Sequence, residues 1–304
     1  MGRIKRIVGH PAVRLGYFGL LLAAGGYYLY RWGDRLPDLL GRVQPLWAVA
    51  ALMVTVAAAF LYSLIQYRIY RRLDAPVTYR LTFRIVTISQ LGKYLPGKVM
   101  FAGNFYLLSR AAGIGNAQIG AAFVISQAMW MLTASLCALP VLSLLNPTLR
   151  YLVVLLPLPL LLLLYPRFLR RLLQLGQRLV GQRQAEPTLL SGLEPLFYLQ
   201  IATMYLLNWS LAGLATWFSL RAFGPVGRDM FPLALASVAL GTVAGFVALF
   251  APVGLGIREG VGAVVLAPAL GPEAALLALL LLRGITVIVD LGTALASMAT
   301  GSGR

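Results

Sequence analysis

Two charged proline–glycine breaks interrupt a chain otherwise built of long apolar runs. The first reads Gln90-Leu91-Gly92-Lys93-Tyr94-Leu95-Pro96-Gly97-Lys98-Val99, and the second Phe250-Ala251-Pro252-Val253-Gly254-Leu255-Gly256-Ile257-Arg258-Glu259-Gly260. A broken helix exposes backbone N–H and C=O groups, and a charge in hydrocarbon is costly. Both persist at membrane depth only where protein or a wet cavity surrounds them. The surrounding runs leave no soluble alternative. The chain is 60% hydrophobic and 12% charged, far below the roughly 25% charge of a soluble domain. Its apolar runs recur at the length of about 20 residues that a membrane helix needs. The expected fold is an all-α polytopic membrane protein forming a single integral membrane domain over residues 1–304.

The net charge of +17 invites a nucleic-acid reading, but its placement argues otherwise. The arginines and lysines gather in a few short loops, as topology signals do, and no folded basic module presents them. Nucleic acid is therefore not an expected partner, whereas anionic lipid head groups at the membrane surface are. Cys137 is the only cysteine and His10 the only histidine. That excludes a disulfide framework, a cysteine metal site and a histidine triad inside the membrane, and no cofactor is expected. No block is long or polar enough for a soluble catalytic domain. The N-terminal run after Arg3, Lys5, Arg6 and Arg14 lacks a clear small-x-small cleavage site and reads as a retained helix.

Six full spans are expected near 15–32, 46–67, 117–145, 151–165, 195–220 and 274–300, with broken segments at 81–112 and 232–270. Loop charge orients them. The N-terminus, the 68–80 loop and the 166–194 loop carry most of the arginines and read as cytoplasmic; the loops at 33–45, 146–150 and 221–231 read as external. Both termini are then expected in the cytoplasm, with the protein in the inner membrane. On this assignment 81–116 starts and finishes inside. Its arms, 81–95 and 98–112, reach about 22 Å each as helix, short of a roughly 30 Å hydrocarbon core. A re-entrant hairpin turning at Pro96-Gly97 fits. The segment 232–272 starts and finishes outside; its first arm, 232–251, is long enough to be either a hairpin arm or a full span. Pro96 and Gly115 are 19 residues apart, as are Pro252 and Gly271, and a long helix follows each pair. These are the marks of an inverted repeat of broken helices, a transporter plan with its site at the repeat interface.

The two break segments, quoted above from Gln90 to Val99 and from Pro252 to Gly260, resemble the transmembrane region of the lysylphosphatidylglycerol synthase/flippase family. The resemblance extends over most of the chain, with Val253 standing where the family pattern carries glycine. It implies a lipid flippase or carrier of an anionic phospholipid or polyprenyl-phosphate-linked lipid. Aminoacyl transfer is not implied, because the synthase domain of two-domain members does not follow the last span here, so no enzymatic activity is expected. Stand-alone relatives suggest an alternative, a scaffold or accessory subunit in a lipid-linked glycosyltransferase pathway, with a glycosyltransferase or lipid-biosynthesis enzyme as partner. A homo-oligomer is also compatible.

The candidate substrate-binding residues are those of the breaks and their neighbours. Pro96, Gly97, Gly254 and Gly256 free backbone groups, and the helix start after each break favours an anion. Lys93 and Lys98 either complement a phosphate there or snorkel to an interface. Asn104 and Arg110 on the second arm line a polar cavity, or Arg110 instead anchors the arm's cytoplasmic end, the reading favoured for it. Arg258 is a phosphate ligand or an interfacial charge. Glu259 pairs with a lysine of the first hairpin, takes up a proton, or stays with Arg258. Arg283 and Asp290 lie seven residues apart on one face of the last helix. Asp290 is a coupling or gating candidate with Arg258 or Arg283 as partner, or half of a structural pair. Gln66, Gln90, Gln127 and Asn208 read as interhelical hydrogen bonds, and Trp32, Trp47 and Tyr151 as interface belts.

Overall fold

The structure is a computed structural model that describes residues 41–94, 99–144, 150–151, 155, 157–179, 193–247 and 256–299. The chain divides into two compact units, Met1–Pro45 and Leu46–Arg304. Of the first unit only 41–45 are described, so the expected helix at 15–32 lies outside the described residues, as do Pro96, Gly97, Lys98 and Gly254.

The second unit is helical throughout its described residues. Its helices are α1 Pro45–Arg72, α2 Tyr79–Leu91, α3 Val99–Ala111, α4 Asn116–Cys137, α5 Pro157–Leu164, α6 Pro166–Leu179, α7 Pro195–Arg221, α8 Phe231–Val247, α9 Ile257–Leu270 and α10 Pro272–Ala299. Among the described residues, four segments are long and apolar enough to cross a membrane: Pro45–Arg72, Asn116–Val141, Arg228–Phe246 and Pro272–Ala299. The segment expected as the first arm of the second hairpin is thus of spanning length. α7, with 27 residues, reaches about 40 Å. By contrast α2 and α3 have 13 residues each and α9 has 14, about 20 Å apiece, too short for a bilayer core.

Two boundaries differ from the sequence reading. The helix expected over 117–145 ends at Cys137 and continues as a 3-10 turn over Leu139–Leu144. Pro140 explains this, since it removes an N–H and crowds the carbonyl one turn back. The described residues of the expected 151–165 span, Tyr151, Leu155 and α5, are helical up to Leu164. The first half of the 166–194 loop is a helix, α6. Its leading proline and its arginines mask an amphipathic repeat in which Leu169 is fully buried while Arg167, Arg170 and Arg171 are exposed.

Small residues let the helices approach. A Cβ on Gly241 would lie 2.4 Å from the Arg258 carbonyl oxygen, and one on Gly92 would lie 2.8 Å from that of Met100. Glycine therefore allows both hairpins, α2–α3 and α8–α9, to close. Polar residues tie other helices together, as expected of Gln66 and Asn208. The Gln66 amide bonds Ser126 and, at 3.2 Å, the Tyr205 hydroxyl, joining α1, α4 and α7. Asn208 donates to the Ala58 carbonyl at 2.8 Å. Large apolar side chains such as Leu46, Met53, Ile288 and Leu295 face outward, where a bilayer takes the place of water.

Candidate functional site at the two helix breaks

α10 is the rail along which both breaks are positioned. On its C-terminal half, Thr87 of α2 donates to the Ser297 hydroxyl at 3.1 Å, and Tyr94 donates to Asp290 Oδ2 at 2.5 Å. Moving along α2 toward its break therefore moves up α10 from Ser297 to Asp290. On the N-terminal half, Gly262 of α9 packs on Leu279, and Glu259 meets Arg283. Moving back along α9 toward its break moves down α10 from Leu279 to Arg283. The two breaks thus approach each other from opposite ends of one helix. Arg283 and Asp290 face the gap, about 10 Å apart along the axis.

Each break carries an ion pair to α10. Lys93 Nζ lies 2.6 Å from Asp290 Oδ2, which also accepts from Tyr94. Arg283 Nε lies 3.9 Å from Glu259 Oε1. Glu259 has a second task. Gly256 sits at φ +81°, a left-handed conformation suited to glycine, and its N–H donates to Glu259 Oε2 at 3.0 Å. The carboxylate therefore caps α9 and neutralises the positive end of its dipole. The Tyr94 ring joins the halves, with Lys93 Nζ 5.3 Å and the Arg283 guanidinium 5.4 Å from its centroid.

Arg258 stands apart. It makes no ion pair and no side-chain hydrogen bond among the described residues, yet it is close enough to Lys93 and Tyr94 to act on both electrostatically. It lines a small open cavity with Ser237, Glu259, Arg283 and Thr286. Among the described residues the site holds three cations, Lys93, Arg258 and Arg283, and two acids, Glu259 and Asp290. One positive charge is left over, and it is Arg258 that has no carboxylate within ion-pair distance among the described residues, although Glu259 and Asp290 both act on it electrostatically.

The sequence candidates separate accordingly. Lys93, Gly256, Arg258, Glu259, Arg283 and Asp290 come together. Asn104 lies half-buried in the second turn of α3 with no hydrogen bond among the described residues. Arg110 is exposed and donates to the Ile114 carbonyl at 3.2 Å, which makes it an anchor for the end of its arm. Two expected partners change. Asp290 pairs with Lys93 and Tyr94, not with an arginine, and Glu259 pairs with Arg283, not with a lysine. The reason is register: the first hairpin reaches α10 two turns below the second. Tyr94 was not a sequence candidate; its signal was its place beside Lys93 in the break, where a phenol can serve a carboxylate.

Helices of spanning length, apolar outer faces and charged helix breaks buried between them define a polytopic integral membrane protein. The sequence model of the lysylphosphatidylglycerol synthase transmembrane region matches residues 16–292, and the chain belongs to that family. No curated protein matches the chain.

Proposed function

We propose that this protein carries an anionic lipid, a phospholipid or a polyprenyl-phosphate-linked lipid, between the leaflets of the inner membrane. The lipid head group passes between the two breaks while its tails stay in the bilayer. The carrying observation is Arg258, a cation in a membrane-embedded cavity with no carboxylate partner among the described residues. A lone guanidinium at such depth is costly unless an anion visits it, and its planar fork matches phosphate oxygens. The opposed approach of the hairpins along α10 supports reading them as inverted repeats with the substrate between them. In this reading Pro96, Gly97, Lys98 and Gly254 complete the cradle, and both termini face the cytoplasm.

Arriving phosphate competes with Asp290 for Lys93 and with Glu259 for Arg283. The two acids are thereby the coupling groups. A proton taken up by Asp290 weakens its hold on Lys93 and frees the lysine for phosphate. Proteoliposomes containing fluorescent phosphatidylglycerol and a membrane-impermeant quencher test the reading. Arg258→Ala is expected to slow translocation by at least about tenfold, the loss of one charge-assisted contact of roughly 1.5–3 kcal/mol, with the fold retained. Wild-type rates in Arg258→Ala and in Lys98→Ala would overturn it.

A further inference from the structure

A second guanidinium is held by a different device at another level of the molecule. Arg221 closes α7. Its guanidinium carbon lies 4.0 Å from the Trp47 ring centroid and 4.9 Å from that of Trp217. Both indoles are fixed. Trp217 donates its Nε1–H to the Gly227 carbonyl at 2.8 Å. Trp47 stacks on Phe218 at 5.6 Å and meets Trp217 edge-on at 6.3 Å. The guanidinium is therefore oriented by aromatic faces rather than by acceptors. Its Nε is buried without a hydrogen-bond partner, and no carboxylate among the described residues pairs with it. Arginine has five donors to satisfy, and stacking satisfies none of them.

The surroundings indicate what does. Trp47 opens α1, and an outward apolar stripe starts beside it: Leu46, Val49 and Met53 are 72%, 56% and 62% exposed. Their spacing puts them on one face of the helix. The stripe lies on the outer face of α1, round the helix from the inward-facing Trp47. A charged fork at the end of a helix whose outer face is apolar suits a phosphate ester whose hydrocarbon chain runs down the outside of the bundle. A free anion would make no use of the stripe. Trp217 packs with Ala275 and Ala278 of α10, so Arg221 sits near the Pro272 end of that helix. That is about 15 Å along the axis from Arg283, and the central cavity does not include it.

We propose that Arg221, Trp47 and Trp217 form a second lipid site, which holds the phosphodiester of a bilayer phospholipid at the end of the bundle bearing the 221–231 loop. Lysine would not serve equally, because a point charge lacks both the stacking face and the two-toothed fork. The site does not depend on transport through the central cavity.

Native mass spectrometry of the purified protein titrated with phosphatidylglycerol reads it directly. Arg221→Gln is expected to lose one tightly held lipid, its dissociation constant rising about tenfold or more, and Arg221→Lys most of the same. Trp47→Leu keeps the charge and the apolar bulk but removes the platform, and is expected to weaken the same lipid several-fold, so it carries the test if the arginine variants do not fold. Arg258→Gln should leave this lipid in place, which separates failure here from failure of the transport reading. Unchanged lipid retention in Arg221→Gln and Trp47→Leu overturns the proposal, as does displacement of the lipid by millimolar inorganic phosphate.

Discussion

Asp290 is the residue on which the first break depends. Its carboxylate accepts from Tyr94 and faces Lys93 at 2.6 Å, with the two side chains 12% and 28% exposed. Removing one partner strands the other. Asp290→Leu is expected to cost on the order of 3 kcal/mol, seen as a lower melting temperature in detergent. The double variant Lys93→Met/Asp290→Leu should recover more than half of that loss, because two apolar side chains leave no orphan charge. Equal destabilisation by the single and double variants would mean that the pair is not coupled. Both charges were visible in the sequence as costly groups. Their partnership was not, because 197 positions separate them and only the packing of α2 on α10 brings them together.

At the level of elements, the breaks are built by glycine as much as by proline. Gly256 combines φ +81° with an N–H bonded to Glu259, so the start of α9 is a turn that an L side chain adopts at a cost. Gly256→Ala is expected to destabilise by about 1–2 kcal/mol, read as a melting shift, while Gly260→Ala, inside the helix with nothing within 4 Å of a new Cβ, should be neutral or stabilising. A larger loss at Gly260 would contradict this account of the break. The short arms α2, α3 and α9 could be anticipated from sequence, because proline and glycine bound them. α6 could not, since arginines at 167, 170 and 171 look like a loop until Leu169 is seen packed inside. The helix end at Cys137 was missed for a related reason: hydropathy continues through Pro140 although hydrogen bonding does not.

Across the bundle, the arrangement predicts a sidedness. The 73–78 turn and the 221–231 loop lie at opposite ends, reached by α1 and α7 respectively. Cys137 is the only cysteine and is buried, whereas Pro76 and Arg228 are exposed. In a Cys137→Ser background, Pro76→Cys should react with a membrane-impermeant maleimide only in inside-out vesicles, and Arg228→Cys only from the outer face. Labelling of both from one face would refute the orientation. The class of fold and the position of the helix breaks were legible in the amino-acid order. Spanning lengths, loop charge and broken helices are local properties, governed by the bilayer's thickness and by the cost of charge and unpaired backbone within it. Which charges are satisfied was decided by the packing of the helices alone. Ion pairing depends on the register between helices far apart in the chain. That register gives Asp290 to Lys93 and Glu259 to Arg283, sets Arg221 on two indoles, and leaves Arg258 facing the cavity.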